Sequence, residues 1–361
     1  MRKSQLAKTL LIVRLSSLGD VVIASPFAEV LKKHNPNARI VWAAQPEAAE
    51  LLRSNPYIDE VFIWNKALWL DLWKQKRLMR LWGEIKKTRE ALHAMNIETA
   101  FDLQGLFKSG FITWLSGAKS RIGIGSREGS YWFMHKMVSR NIANREQLGS
   151  EYRYLANQLG YSDGDWPVRV YTTPESRENA NTIIRSVLKE GEAYAVICPF
   201  STRPQKHWPD DYWQQLVLRI RGRYQLKTVI LGARHEGTLG QQLSRRCGAI
   251  NLAGQTGLQE AAEIIAGASV TIGVDNALTH IAQSSPNPAI ALFGPSCPYI
   301  YNGVESSKVL YLDMFCSPCR RKPICGGTYD CMRDIEPDRV LTELKSLIRH
   351  AERPLVFHKT G

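Results

Sequence analysis

Four groups of residues in this chain combine side chains able to do chemistry. The first is RLSSLGD at residues 14–20, a polar, glycine-containing break after the branched apolar run 10–13. Its Asp20 stands where helical spacing resumes. A carboxylate there either caps the helix by accepting from a free backbone N–H or takes a proton from a substrate hydroxyl. The second is STRPQK at 201–206, where the hydroxyls of Ser201 and Thr202 and the charge of Lys206 precede a helix start. That combination is a natural phosphate seat. The third, GVDNALTH at 273–280, repeats the pattern of strand, glycine and acid. The amides of Asn276 and Ala277 at a helix start suit a pyrophosphate, and Asp275 either caps or bonds a sugar hydroxyl. His280 falls one turn beyond Asn276 on the same helix face. The fourth is CSPC, giving Cys316 and Cys319, followed by Cys325 and Cys331. The opening pair has metal-knuckle spacing, although the two later gaps of five depart from a second C-x₂-C. A structural zinc or iron, a redox pair and free thiols are the readings, and a disulfide is the weaker one in a reducing compartment.

These groups need strand tips to hold them. Residues 10–13, 38–42, 60–64, 99–103 and 120–124 read as strands, with a short helix at 47–53. The loop after the fourth strand carries Gln104 and Lys108, and Arg121 in the fifth is a further candidate for holding an acid group. Beyond a linker at 168–174, strands are expected at 194–199, 228–231, 269–272 and 288–293. Helices are expected at 210–220, 258–266 and 334–350. Glu236 follows one of those strands and is placed to meet ribose hydroxyls. The alternation, which restarts after the linker, is that of an α/β protein with open sheets in which ligands sit at the carboxyl ends of strands. Residues 127–145 are basic and are expected to form a helical or partly mobile lid.

Composition narrows the partners. A chain of 361 residues is long for one core, and 44% apolar residues suit a soluble globular protein. The formal net charge of +13 favours an anionic partner: nucleic acid, an acidic membrane face or a phosphorylated substrate. No zinc-finger, RNP or basic helix-turn-helix pattern is present, which ranks nucleic acid low. The apolar start at 10–13 runs into a loop and helix, so it reads as a strand and not a signal peptide. A cytosolic protein is expected. Residues 64–87 carry Trp64, Trp69, Trp73 and Trp82 among seven cations and only two acids. They are either a basic amphipathic surface lying on an anionic leaflet or helix packed on the sheet with a solvated basic face.

Taken together, the stretches at 14–26, 102–110 (DLQGLFKSG), 206–213 (KHWPDDYW), 273–283 and 291–295 (ALFGP) resemble glycosyltransferase family 9, the lipopolysaccharide heptosyltransferases. They lie in family order over most of the chain. The resemblance implies a GT-B fold of two doubly wound Rossmann-like domains, an acceptor-binding domain over 1–170 and a nucleotide-sugar-binding domain over 175–334 facing each other across a cleft. A final helix in 335–361 would pack back on the first. It also implies inverting, metal-independent transfer of heptose from ADP-heptose to the lipopolysaccharide inner core; peripheral contact with the cytosolic face of the inner membrane is expected through residues 64–87.

Carried over position by position, the resemblance makes Asp20 the general base; Ser17, Gly19, Gln104, Lys108 and Arg121 are the acceptor-side candidates read from their own positions. Ser201, Thr202 and Lys206 would hold donor phosphate, Glu236 the ribose, Thr256 the base and Asp275 the heptose hydroxyls. Asn276, Ala277 and His280 would line the diphosphate. Asn276 and Ala277 stand where the family commonly shows Thr and Gly, and Thr256 where an apolar residue often flanks the base. Competing readings are a family-9 transferase using another nucleotide sugar or acceptor, and a non-catalytic nucleotide-sugar-binding protein. The presence of both Asp20 and Lys206 argues against the second. A nicotinamide enzyme is disfavoured because no G-x-G-x-x-G follows the first strand.

Overall fold

The computed structural model describes residues 8–126, 128–140, 147–161, 166–296, 299, 304–319 and 322–351. The described chain divides into two compact units, a first that runs to Tyr171 and a second from Thr172, with residues 147 and 148 grouped with the second.

The first unit is wound as β1 (Thr9–Val13), α1 (Leu18–Ala24), α2 (Pro26–His34), β2 (Arg39–Ala44), α3 (Pro46–Arg53), β3 (Glu60–Ile63), α4 (Lys66–Lys74), α5 (Leu78–Ala94), β4 (Ile97–Asp102), α6 (Phe107–Leu115), β5 (Ser120–Ile124), β6 (Lys136–Val138) and α7 (Ser150–Gln158). Its six strands are parallel in the order β3-β2-β1-β4-β5-β6. β1 is buried along its whole length, as a central parallel strand covered on both faces must be. α7 and the following chain close the unit: the Trp166 indole donates to the Ile23 carbonyl at 3.0 Å and lies beside Phe27.

The second unit repeats the plan with α8 (Pro174–Val187), β7 (Tyr194–Cys198), α9 (Asp210–Tyr224), β8 (Lys227–Ile230), α10 (Gly237–Cys247), β9 (Ile250–Asn251), α11 (Leu258–Ala266), β10 (Val270–Val274), α12 (Ala277–Gln283), β11 (Ala289–Phe293), β12 (Ser307–Tyr311), α13 (Asp330–Arg333) and α14 (Pro337–Ala351). Its parallel strands run β12-β11-β10-β7-β8-β9. Counted from its own first strand, this is the strand order of the first sheet. In each unit the chain winds outward on one side of the first strand and then returns to wind outward on the other. The switch points are therefore β1/β4 and β7/β10, where a doubly wound sheet leaves its strand ends open to ligands.

Three expectations change. Residues 64–87 are two helices separated by a turn, with Lys76 in the left-handed region at φ 57°. Within 127–145, residues 128–140 form a 3-10 turn at Ser130–Phe133 and the edge strand β6, not a helical lid; 127 and 141–145 lie outside the described residues. The final helix, expected to cross to the first unit, packs on the second. Val340, Leu341, Leu344 and Leu347 of α14 are buried in the core built by β10, β11 and α9.

Candidate active site

At the first switch point Arg14 follows β1 directly and is buried. One guanidinium nitrogen donates to the Leu103 carbonyl at 3.2 Å, and the other pairs with Asp20 Oδ2 at 2.8 Å. The same Oδ2 accepts from the Ser17 hydroxyl at 2.7 Å and the Ser17 backbone N–H at 3.3 Å. Ser17 is thus the N-cap of α1, and Asp20, at the third position, reaches back to it as a reciprocal capping partner. The N-cap expected at Asp20 belongs to Ser17, yet the carboxylate is anchored from three directions while 39% of its side chain stays exposed. Gly19 is buried in the turn beneath it.

The loop after β4 meets this one. Lys108 Nζ donates to Ser16 Oγ at 2.9 Å, the Gln104 amide nitrogen reaches the same oxygen at 3.4 Å, and Gln104 Oε1 accepts from the Leu15 N–H at 3.1 Å. Asp20, Ser17, Gly19, Gln104 and Lys108 therefore gather at one tip. Arg121 does not join them. It sits at the amino end of β5, where its guanidinium donates to the carbonyls of Phe133 and Ala118, and burial lowers its pKa. It ties the strand to the 3-10 turn.

Sequence reasoning assigned no role to two residues of this tip. Arg14 read only as the first residue of the polar motif 14–20, although a cation six residues before an acid across a loop was its signal. Asp102 is fully buried at the end of β4 and accepts from the N–H groups of Gln104 and Gly105 at 2.9 and 3.1 Å. Burial raises its pKa despite those bonds and the nearby Arg14 charge. It shapes the loop, in which Gly105 takes φ +68° with the carbonyls of Ile124 and Gly125 too close for any side chain.

At the second switch point the loop after β7 and the start of α12 form a charge cluster. Lys206 Nζ lies 2.5 Å from Asp275 Oδ2 and 3.4 Å from the Asp275 carbonyl, while His280 Nε2 lies 3.1 Å from Asp275 Oδ1. Burial pushes the Asp275 carboxyl up. The hydrogen bond and charge of His280, with the charge of Lys206, outweigh it and hold the carboxyl far below the usual carboxylate range.

Asn276 is spent on architecture. Its Oδ1 accepts from the Thr279 N–H at 2.9 Å as the N-cap of α12, and its amide nitrogen donates to the carbonyls of Cys198 and Phe200 at 3.0 and 2.8 Å. This pins α12 to the tip of β7, and Ala277 opens the helix. Strand and helix approach so closely that a Cβ on Gly273 would overlap Thr279 Oγ1. Ser201 is half-buried and Thr202 exposed in the same loop, and Thr256 is half-buried before α11. Glu236 is buried, with Oε2 accepting from the Ala233 N–H at 2.7 Å and Oε1 3.7 Å from His235. One of its oxygens is therefore already committed to a helix start.

The thiols of Cys316, Cys319, Cys325 and Cys331 line one cavity with Met314 and Gln205, the neighbour of Lys206. None is in a disulfide. Burial raises the Cys319 and Cys331 thiols, the latter to about 11, with the neighbouring thiols adding to both. Cys325 is lowered by backbone hydrogen bonds at Tyr329 and Gly327. Among the described residues no three His, Cys, Asp or Glu side chains are placed to share a metal ion. Cys331 is turned into the core on α13 against Gly294, whereas the other three lie half-buried on the preceding loops. As arranged, the four do not make the expected zinc or iron ligand set, and no step is assigned to them.

Two parallel six-stranded Rossmann-like sheets with open switch points give the chain a GT-B fold. A solved glycosyl transferase family 9 structure from Veillonella parvula matches with a TM-score of 0.81 at 23% identity, covering 96% of this chain and 99% of that one. The Escherichia coli heptosyltransferase solved with ADP-2-deoxy-2-fluoro heptose matches at 0.70 and 22%, covering 94% and 99%. Lipopolysaccharide heptosyltransferase 1 of Escherichia coli K12 is 24% identical over 352 residues, 93% of this chain and 99% of the relative. The family model for glycosyltransferase family 9 (heptosyltransferase) matches residues 85–329, and the chain belongs to that family.

The charge cluster has a measurable signature. Asp275 titrates lower in the folded chain than its unfolded value of about 3.9. Its stabilising contribution is thus fully present above about pH 4 and is lost as pH falls through the folded value. Asp275→Asn should cost about 3 kcal/mol at neutral pH, because it leaves Lys206 without its counter-charge. Urea unfolding of both proteins should show the gap closing in acid; a gap that stays constant down to about pH 2 contradicts the assignment.

Proposed function

We propose that the chain is an inverting glycosyltransferase that moves heptose from ADP-heptose to an inner-core sugar of lipopolysaccharide, acting in the cytosol at the inner membrane. The observation that carries this reading is Asp20, a carboxylate held from three directions at the first switch point yet open to solvent. The fold, the family and the names of the relatives support the substrate class.

In this reading Asp20 accepts the proton of the acceptor hydroxyl. The hydroxyl oxygen attacks the anomeric carbon of heptose as the bond to the diphosphate breaks, so ADP departs and the configuration inverts. Lys108, Gln104 and Ser17 line the acceptor side, and Arg14 orients the base. On the donor side Lys206, Ser201 and Thr202 hold phosphate, and the amides of Asn276 and Ala277 add to that seat. Positive charge placed where negative charge develops on the leaving group is the main catalytic contribution available to the second unit. Glu236 meets the ribose with the oxygen it does not spend on Ala233, and Thr256 flanks the base. Asp275 and His280, engaged with one another, set the position of Lys206 as well as meeting sugar hydroxyls. The side chain of Asn276 takes no part.

Asp20→Ala should lower turnover by about 10²–10⁴-fold while leaving ADP binding nearly unchanged, and it should lower the unfolding temperature because buried Arg14 loses its counter-charge. Radiolabelled or coupled ADP-release assays check the first and calorimetry the second; full activity, or an equal loss of donor binding, overturns the base assignment. Arg14→Met should shift the acid limb of the kcat/KM profile to higher pH, since the carboxylate loses its cation. Lys206→Ala should weaken ADP binding by about tenfold or more, and calorimetry showing no change removes the phosphate seat. Thermal-shift comparison of ADP, UDP and GDP separates the alternative of another nucleotide sugar.

A further inference from the structure

The helical hairpin of α4 and α5 has a well-anchored base and an unanchored tip. At the base Trp64, Leu72 and Leu92 are buried, and Trp69 and Ile85 pack against the core of β1, β2 and α6. From Trp73 to Arg80 every residue is exposed. This tip, with the first turn and a half of α5, carries Trp73, Leu78, Met79 and Trp82, exposed by 63, 55, 85 and 66%. It also carries Lys74, Lys76, Arg77 and Arg80 and no acid, and none of the four cations pairs with a carboxylate among the described residues. An aromatic chain leads from the hairpin to the acceptor side: Trp69 meets Phe111 at 6.4 Å, and Phe111 lies 6.4 Å from Phe107 and 5.6 Å from Trp114. Phe107, half exposed, is the neighbour of Lys108, which bonds Ser16.

We propose that the α4–α5 tip is a docking surface for a bilayer rich in anionic lipid. The cations bring the tip to the headgroups, and Trp73, Leu78, Met79 and Trp82 enter the interface, where indoles favour headgroup depth. Charge selects this occupant. A second copy of the same tip would set four cations against four, on a chain of net charge +13. Nucleic acid would be served by aromatic faces for stacking, whereas Leu78 and Met79 offer aliphatic chains that suit acyl tails. Among the described residues no helix is long and apolar enough to cross a membrane, so the contact is peripheral. It places the first unit's acceptor tip next to a surface from which a lipid-anchored glycan extends.

Vesicle co-sedimentation tests this without nucleotide sugar or acceptor, so its outcome is independent of the transferase reading. The full chain should sediment with phosphatidylglycerol–phosphatidylethanolamine vesicles, less so as salt rises, and not with phosphatidylcholine vesicles. Replacing Lys74, Lys76, Arg77 and Arg80 by Ser should weaken binding on the order of 100-fold. Replacing Trp73, Leu78, Met79 and Trp82 by Ser should weaken it roughly tenfold or more. These side chains are exposed, so unfolding temperatures should match wild type, and brominated lipid should quench wild-type tryptophan fluorescence more than that of the apolar variant. The proposal is overturned by absent or lipid-indifferent binding of wild type, or by unchanged binding of both variants. It is also overturned by a wild-type dimer that the variants dissolve, or by variant-sensitive binding to a single-stranded oligonucleotide in preference to vesicles.

Discussion

A parallel strand whose neighbours are wound away in opposite directions ends in a gap, because no crossover covers its carboxyl end. Both sheets obey this constraint at one place each, and the candidate chemistry collects at those two places. β1 and β4 end in the loops that hold Asp20 and Lys108; β7 and β10 end in those that hold Lys206 and Asp275. Arg121 shows the same rule from the other side. It lies on a strand of the same sheet but at the amino end, and its guanidinium is consumed by two backbone carbonyls.

The two tips handle charge differently. In the first unit a buried arginine holds a carboxylate that remains partly in water, so the acid is fixed in direction without being sealed off. In the second, carboxylate, lysine and imidazole are all largely buried, with Lys206 and His280 both engaging Asp275. A buried group of this kind tolerates loss of a member poorly, since the remaining charges face a medium that solvates them weakly. The first arrangement suits a group that must meet a hydroxyl proton, the second a cation that must wait in position for an anion.

The central strands were legible because a parallel strand covered on both faces is an unbroken apolar run, as in residues 10–13 and 289–293. Short edge strands carry no such signal: β9 has two residues and β6 three, with exposed positions. The break between α4 and α5 was illegible because it rests on Lys76 in a left-handed conformation, with neither glycine nor proline to mark it. Amphipathic α8 and α10 occupy 174–187 and 237–247, just beyond the linker and the loop, where no element was read. At the tips, Asp20, Lys206, Asp275 and His280 were legible from residue type and position. Arg14 was not, because its role depends on a partner across a turn, and neither was the task of the Asn276 side chain, which serves the backbone of a distant strand. Of the residues 64–87, the hairpin base packs on the sheet as the second account expects, and the tip stays exposed.

Gly273 limits how the second unit can diversify. A single methyl group there would intrude on Thr279 and Cys198, so the spacing between β10 and α12 is set by a missing carbon atom. Random change is thus steered away from the floor of this tip and toward exposed positions such as Thr202. A descendant of this chain accommodating a bulkier or smaller ligand would be expected to have altered such positions while leaving residue 273 as it stands.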